Sequence, residues 1–311
     1  MPLQTTCIGA YPKPLKGGTD HWRPTAGAEE QARQFTYIAG DEQAVPGTDL
    51  DAATRMAVRD QVACGIHIPI DGEQRRENYI HYHCRHLAGI DFQQLTTKLH
   101  RNNGAVGDLP TIVGKVTPHG GHFLDHDFAI AQAATKREVK ITVPGPLTIV
   151  DTTADAHYGD PGALARDLAD ALNFEIRALA AAGCRHIQID EPLFAREADN
   201  ALAFGIECLE RCFHGIPEGV TQIMHMCCGY PGQLDEADYP KADPGSYLQL
   251  ADALDRSSIH QISIEHAHRA NDGALFEMFG NTALILGVVD IAVSRVEAVE
   301  EIVDRLRHAL R

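Results

Sequence analysis

The stretch from 160 to 192, DPGALARDLADALNFEIRALAAAGCRHIQIDEP, decides the fold, because a complete helix runs directly into a strand. Asp160 and Pro161 form a helix cap and first-turn pair, and Gly183 is a helix stop signal. The short apolar run after Gly183 predicts a buried strand. Apolar side chains at helical spacing predict one buried helix face, formed by Leu164, Leu168, Leu172, Ile176 and Leu179.

The same alternation of strand and helix recurs along the whole chain. Helical segments follow most of the short apolar runs, and such alternation implies parallel strands covered on both faces. No repeat, low-complexity tract or linker interrupts the pattern, so we predict one catalytic domain over 1–311. A hairpin or loop insertion is expected around 101–126, and an active-site loop around 229–245. The other runs are TTCIGAY (5–11), GIHIPIDGE (65–73), KITVPGP (140–146), TQIMHMC (221–227), HQISIE (260–265) and ALILGVVD (283–290).

Composition limits the classes of function. The 311 residues carry a formal net charge of −16 and no cluster of Lys and Arg, which argues against a nucleic-acid partner. The chain shows neither a signal peptide nor a membrane span, so we expect a soluble, cytoplasmic protein. Its 8 cysteines have no regular spacing and are expected to be thiols in a reducing compartment.

Acids, histidine and cysteine fall at the carboxyl ends of these runs. In a (β/α)8 TIM barrel those ends converge on one face, where the chemistry takes place. An open doubly wound sheet would usually show a Gly-rich phosphate loop after its first strand, where this chain has GAYPKP. The pattern therefore favours a TIM barrel. The residues at the run ends are Glu73, Asp190, Glu191, His225, Cys227, Glu265 and Asp290.

His225 and Cys227 are candidate metal ligands. Two residues apart on a strand, their side chains point to the same side, whereas Cys228 points the other way. Imidazole nitrogen and thiolate suit zinc, and a catalytic zinc keeps three protein ligands. Glu265 closes the next strand and would be the third. The alternative is that His225 and Cys227 are ordinary buried residues, and that Glu265 is a solvated loop carboxylate or forms an ion pair with Arg269.

Each of the remaining polar residues also has a purely structural interpretation. Asp190 and Glu191 could cap a helix and lie on the surface, and Glu73 could pair with Arg75 or Arg76. Their shared placement at strand ends favours function. Two histidine groups are interpreted differently: His81, His83, Cys84 and His86 as a surface or packing feature, and His119, His122 and His126 as loop residues without a thiolate partner.

Several segments together resemble the C-terminal catalytic barrel of cobalamin-independent methionine synthase. In chain order they are TTCIGAYPKP, DGEQRREN, TVPGPLTI, HIQIDEP, HMCCGYP, ISIE and GVVDIAVSRVEAVEEI. The resemblance implies a methyltransferase of methionine biosynthesis that moves a methyl group from methyltetrahydrofolate or a methylcorrinoid protein to homocysteine.

The resemblance also assigns roles to residues of this chain. It makes His225, Cys227 and Glu265 ligands of Zn²⁺. It places Glu73 and Asp190 on the amino group of homocysteine, and the backbone around Ala10 and Tyr11 on its carboxylate. Asp190, Glu73 and Asp290 are expected to be the catalytic acids.

Four departures separate this chain from the pattern it resembles. The pattern's last zinc ligand, a Cys, has no counterpart after Cys228, so we expect the natural protein to carry a further C-terminal segment with the eighth strand. Ala10 stands where Ser is usual, and Ala292 stands where a catalytic His is usual. The Trp that flanks the pterin has no counterpart, which leaves open a folate or a corrinoid donor.

Two alternative functions remain open. A thiol alkyltransferase of the epoxyalkane:coenzyme M transferase type shares an H-x-C zinc pair, although Glu73 and Asp190 would repel the sulfonate of coenzyme M. A non-catalytic barrel with an incomplete zinc site would bind an amino acid without transferring a methyl group.

Overall fold

The computed structural model describes residues 3–12, 49–76, 78–100, 105–231, 234–236 and 239–310. The strands are β1 (Leu87–His100), β2 (Ala105–Pro118), β3 (Lys140–Pro144), β4 (Ala154–Asp155), β5 (His186–Asp190), β6 (Thr221–Met226), β7 (Gln261–Glu265) and β8 (Ala283–Gly287). The helices are α1 (Leu50–Ala63), α2 (His81–Cys84), α3 (Leu124–Gln132), α4 (Pro146–Asp151), α5 (Pro161–Ala181), α6 (Leu193–Arg196), α7 (Ala198–Asn200), α8 (Ile206–Cys212), α9 (Ser246–Asp255), α10 (Gly273–Glu277) and α11 (Val299–Ala309). A π-helical turn, Ala201–Gly205, joins α7 to α8.

A parallel sheet with the order β3-β5-β6-β7-β8 forms the centre of the molecule. Parallel bridges extend it beyond β3, since Ile70 pairs with Lys140 and Thr6 pairs with Ile68. Spatial order therefore follows chain order, as in a TIM barrel, and the predicted fold class is confirmed. In the part of the chain that the structure describes, no strand pairs with the free edge of β8, so closure is not seen there.

Helix α5 forms as the sequence predicts. The Asp160 side chain accepts hydrogen bonds from the backbone N–H groups of Gly162 and Ala163, which satisfies two donors that a helix start leaves free. All five apolar residues of the predicted face are buried. Burying each such side chain contributes about 2 kcal/mol, so this face is a large part of what holds the helix on the sheet.

A two-stranded antiparallel hairpin, β1 and β2, lies beside the sheet, and the short β4 extends it. The sequence placed the insertion around 101–126, but the hairpin already begins at Leu87 and ends at Pro118; positions 101–104 lie outside the described residues. Its Lys98 ammonium donates to the carbonyls of Val150, Asp151 and Thr153. A cation at these carbonyls satisfies acceptors that α4 leaves free at its C-terminal end.

Burial is uneven around the sheet. Every residue of β3 is buried, whereas β8 has no fully buried residue and α11 has none either. No helix among the described residues is long and apolar enough to span a membrane.

Candidate active site

Sheet register brings the predicted polar residues to one edge. Asp190 pairs with His225, and His225 pairs with Ser263, across three neighbouring strands. Glu265 pairs with Gly287 at the end of β8. Because the strands are parallel, these side chains all lie at the carboxyl edge, where barrel enzymes carry their chemistry.

His225 and Cys227 are buried at the end of β6. His225 Nδ1 lies 3.0 Å from Ser263 Oγ, and the Gly229 N–H donates to Cys227 Sγ over 3.2 Å. Burial lowers the pKa of His225 to about 3, which keeps the imidazole neutral as a metal ligand requires. Burial, reinforced by Glu265 and Cys228, raises the pKa of Cys227 to about 12. The thiol therefore stays protonated unless a cation offsets its charge.

Only one of the two carboxylate oxygens of Glu265 has a hydrogen-bond partner among the described residues. The Tyr230 hydroxyl donates to Glu265 Oε1 over 3.1 Å and also hydrogen-bonds Cys227. Glu265 Oε2 is buried and has no hydrogen-bond partner among the described residues. Burial also raises the pKa of this carboxyl group. An orphaned carboxylate oxygen of this kind is costly unless a cation or proton meets it.

The predicted ligands are chemically suitable for zinc, but their donor atoms do not converge on one point. Within the described ranges, no three His, Cys, Asp or Glu side chains converge closely enough to hold a metal ion. The Tyr230 hydroxyl lies between Cys227 and Glu265 and bonds to both. Imidazole nitrogen, thiol sulfur and a carboxylate oxygen without a partner are nevertheless a donor set that zinc accepts.

Glu73 lies on the opposite side of the same edge, and one of its carboxylate oxygens is hydrogen-bonded. Its Oε1 accepts from Thr142 Oγ1 over 2.8 Å and from Arg76 Nη1 over 3.4 Å. Its backbone φ is 55°, a left-handed conformation that is unusual outside glycine and that often marks a functional position. A Cβ at Gly9 would stand 2.7 Å from Glu73 Oε1, so the first sequence motif passes directly over this carboxylate.

Asp190 is the partner of Glu73 in the predicted amino-group site. Gln188 Nε2 donates to Asp190 Oδ1 over 2.7 Å and to the Ile8 carbonyl over 3.1 Å. The fully buried Lys140 donates to the other end of Gln188. Burial, with a further contribution from Glu73, raises the pKa of Asp190. Two buried acids near one another favour a ligand that brings positive charge.

Ala10 and Tyr11, the predicted carboxylate contacts, lie beside this acid pair. The Tyr11 N–H donates to the Gly72 carbonyl over 3.0 Å, and Gln74 Nε2 donates to the Tyr11 carbonyl over 3.1 Å. Ala10 itself is exposed. The backbone that carries both residues is thus fixed against the loop of Glu73, with the Ala10 position open to a ligand.

Glu191 is not a surface acid. It is fully buried, and it accepts hydrogen bonds from the N–H groups of Leu147 and Thr148 and from the Thr148 hydroxyl. It therefore caps the N-terminus of α4, not a helix that follows it in sequence. Gly145 makes room for it, because a Cβ there would lie 2.1 Å from Glu191 Cδ. Its function is to hold α4 in place.

His268, which the sequence analysis did not single out, lies with Asp290 near the end of the site that holds Cys227, Cys228 and Glu265, here called the thiol end. His268 Nε2 lies 3.2 Å from Cys228 Sγ, and its Nδ1 lies 3.5 Å from Glu265 Oε2 and 3.9 Å from Asp290 Oδ1. Asp290 lies three residues after the end of β8, and its catalytic role stays a prediction. The only sequence signal for His268 was its position three residues after Glu265 in the run EHAH.

The segment around 229–245, predicted to be an active-site loop, folds back on the strand ends. The Ala242 N–H donates to the Cys228 carbonyl over 2.8 Å, and the Asp235 N–H donates to the Ala292 carbonyl over 2.9 Å. Residues 232–233 and 237–238 lie outside the described part. The loop's described ends therefore border the thiol side of the site.

The other histidine groups lie away from this edge. His81 and His83 are buried with Cys84 and pack against aromatic rings, which makes them core residues. His122 Nδ1 lies 3.0 Å from Glu175 Oε2 on α5. These groups are structural contacts outside the site.

The strand ends of this parallel sheet thus carry two buried acids, Glu73 and Asp190, and a buried imidazole, thiol and carboxylate. The model of the cobalamin-independent synthase family, catalytic domain, matches residues 3–203. That range includes Glu73 and Asp190 and ends before His225. The chain belongs to this family, and the resemblance seen in the sequence is confirmed.

Individual relatives match almost the whole chain. The methionine synthase from Sulfurisphaera tokodaii is 27% identical over 99% of this chain and 81% of its own length. The methionine synthase from Pyrococcus furiosus is 27% identical over 96% of this chain and 79% of its own length. A solved B12-independent methionine synthase from Shewanella sp. W3-18-1, in complex with selenomethionine, is 29% identical with a TM-score of 0.81, covering 99% of this chain and 86% of that one. A putative B12-independent methionine synthase from Listeria monocytogenes, 16% identical with a TM-score of 0.67, shares the fold.

Proposed function

We propose that this protein transfers a methyl group to the thiol of homocysteine and so forms methionine. The observation that carries the proposal is the pairing, at one sheet edge, of a buried acid pair with a buried imidazole, thiol and carboxylate group. Family membership and relatives named methionine synthase support it. The Shewanella relative was solved with selenomethionine, which has the shape of the proposed product.

The acid pair would select an amino-acid thiol over a simple one. Glu73 and Asp190 are buried carboxyl groups that can accept hydrogen bonds from an ammonium group. Arg76 and Lys140 already hold the acid pair in place, so little must be reorganised when substrate arrives. The backbone at Ala10 would meet the substrate carboxylate. Binding at these points would direct the thiol toward Cys227.

His225, Cys227 and Glu265 would hold a zinc ion. When bound, zinc would supply the positive charge that keeps a substrate thiol deprotonated and nucleophilic. The protein's own part is to supply neutral His225, to exclude water by burial and to orient Glu265 through Tyr230. The methyl donor would be methyltetrahydrofolate or a methylcorrinoid protein.

One observation favours a second candidate, a barrel that binds an amino acid without catalysis. The His, Cys, Asp and Glu side chains of the described residues do not converge on one point. This is what an incomplete zinc site would show. This candidate predicts no zinc after purification and amino-acid binding that survives loss of Cys227. The epoxide-opening alternative differs in its electrophile and predicts no methionine from a methyl donor.

The proposal is tested by measuring bound zinc and methionine formation from homocysteine with each methyl donor, and thioether formation with an epoxide. Cys227→Ser should remove both zinc and turnover, because a hydroxyl is a poor zinc ligand. Cys184→Ser is the matched control, since Cys184 is equally buried but precedes β5 at the far edge of the sheet. A zinc-free Cys227→Ser protein with full activity would contradict the proposal.

A further inference from the structure

Three polar side chains are completely buried next to the acid pair, within the parallel sheet. Lys140 and Thr142 lie on β3, Gln188 lies on β5, and each of them is 0% exposed. Thr142 pairs with Gln188 in the register of the two strands, two residues before Asp190. The interior of a parallel barrel is usually filled by branched apolar side chains. Polar side chains at these positions therefore need a reason other than packing.

Lys140 decides which way the amide group of Gln188 points. The lysine ammonium group has donors only, and it donates to Gln188 Oε1. The amide therefore turns its NH2 group away, and Nε2 donates to Asp190 Oδ1 over 2.7 Å and to the Ile8 carbonyl over 3.1 Å. In the reverse orientation the amide oxygen would face two acceptors, and the NH2 group would face a cation.

The Gln188 amide joins the two halves of the predicted amino-acid site. Asp190 is the predicted contact of the substrate amino group. Ile8 lies two residues before Ala10, where the backbone is predicted to meet the substrate carboxylate. Because one NH2 group bonds to both segments, it fixes the spacing between them. A site that already has the spacing of its ligand loses less free energy when the ligand binds.

The energetics of this network argue against a purely structural role. Burial lowers the pKa of Lys140, because the charged ammonium group is removed from water. Replacing two buried polar partners by apolar side chains of similar shape is often neutral for stability, or even stabilising. The pair of Lys140 and Gln188 is therefore not explained by stability, whereas the position of Asp190 depends on it directly.

We propose that Gln188 is a positioning residue for the substrate amino acid and that Lys140 holds it in the required orientation. Gln188 fixes Asp190 against the Ile8 backbone before the substrate arrives. This inference rests on the proposed function for the identity of the amino acid, homocysteine. It implies that Gln188 and Lys140 contribute to the affinity for homocysteine and little to the stability of the fold.

Calorimetric titration of the purified full chain with L-homocysteine, combined with thermal unfolding, tests this proposal. The double variant Lys140→Met/Gln188→Met replaces both partners by apolar side chains of similar length, so no cation is left buried alone. Lys140→Met by itself leaves the amide free to turn. Gln132→Met is the control, because the Gln132 amide also makes three hydrogen bonds, but to main-chain groups of residues 135–139, before β3 begins.

The double variant should unfold within about 5 °C of the unsubstituted protein, because no polar partner of the pair is left behind. Its affinity for homocysteine should fall about 10- to 100-fold, the factor that a hydrogen bond to a charged group is worth. Lys140→Met should lose affinity to a similar extent. Gln132→Met should show the opposite pattern, with a lower unfolding temperature and an affinity within about twofold.

Full affinity in either Lys140 variant would overturn the proposal. Loss of the folded state in the double variant would overturn it as well, because that result describes a structural role. Absence of homocysteine binding by the unsubstituted protein would overturn both this inference and the proposed function. The expected losses of affinity in a protein that forms no methionine with any methyl donor would overturn the proposed function alone.

Discussion

Asp190 and Glu265 end strands of the same parallel sheet and are buried to a similar degree, but their surroundings differ. At the acid end, near Glu73 and Asp190, Asp190 Oδ1 accepts a hydrogen bond from Gln188, and Glu73 Oε1 accepts from Thr142 and Arg76. At the thiol end, Glu265 has one oxygen on Tyr230 and one without a hydrogen-bond partner among the described residues.

The difference shows how the two ends are completed. The acid end is preorganised by the protein's own donors, so the ammonium group of the proposed substrate would add charge to an existing network. The thiol end, near Cys227 and Glu265, holds a buried carboxylate oxygen without a hydrogen bond from any described group, which a cation or a proton would satisfy. Substitutions at the acid end should therefore change substrate binding, and substitutions at the thiol end should change zinc binding.

The largest effect should come from the packing that supports the acid end. Gly145→Ala would push the Glu191 carboxyl group off α4 and break its hydrogen bonds, and we expect a loss of about 3 kcal/mol in the free energy of unfolding. Denaturant unfolding measures this. Gly273→Ala is the control, because a Cβ at Gly273 meets no atom within 4 Å and the change should stay within about 0.5 kcal/mol.

Asp190→Asn should raise the KM for homocysteine about 100-fold and leave bound zinc unchanged. The reason is that a hydrogen bond to an ionised group is worth up to about 3 kcal/mol, and the amide carries no charge for the substrate ammonium. Steady-state kinetics and metal analysis separate the two readouts. Asp252→Asn, on an exposed helix surface, should match the unsubstituted protein. An equal rise in KM with a thiol that lacks an amino group would contradict the assignment of Asp190 to the substrate amino group.

Tyr230→Phe should weaken zinc binding about tenfold with little effect on the acid end. The Tyr230 hydroxyl holds Glu265 Oε1 and thereby turns Oε2 toward His268, and loss of such a partner typically costs tenfold or more. Competition with a chelator measures the affinity. Tyr158→Phe, which removes a hydroxyl bonded to Asp167, serves as the control. Tighter zinc binding in Tyr230→Phe would mean that the hydroxyl obstructs the site.

The smallest effect concerns pH at the acid end. Burial raises the pKa of Asp190 to about 7, so the carboxyl group is ionised above that pH and neutral below it. Only the ionised form attracts an ammonium, and the ionised fraction falls about fivefold from pH ~7 to pH ~6. The KM for homocysteine should rise by about that factor over this range, and the Asp190→Asn protein should lack the rise. A flat profile in the unsubstituted protein would show that Asp190 does not titrate there.

The sequence predicted the regular elements of the fold but not the hairpin limits. Helix α5 and the parallel strands follow local periodicity, which a single sequence displays. The hairpin strands β1 and β2 pair with register shifts between Ala88 and Ile90 and between Asp91 and Leu95, and such bulges interrupt the alternation that marks a strand. Its beginning at Leu87 was therefore not visible in the sequence.

The placement of candidate site residues was predictable where position along a strand decided their direction, whereas their roles stay predictions. His225, Cys227 and Glu265 reach one edge because each ends a parallel strand. The capping role of Glu191 depends on Gly145, which lies far away in sequence, and no local pattern encodes that meeting. His268 lies on a loop, where periodicity gives no direction, so only the folded chain brings it to Glu265.

X-ray absorption at the zinc edge, with and without homocysteine, tests the central claim most directly. The account predicts that the resting protein shows one sulfur donor, from Cys227, among nitrogen and oxygen donors. Homocysteine should add a second sulfur at about 2.3 Å, because its thiol joins the metal. An unchanged sulfur count at saturating homocysteine would contradict the account.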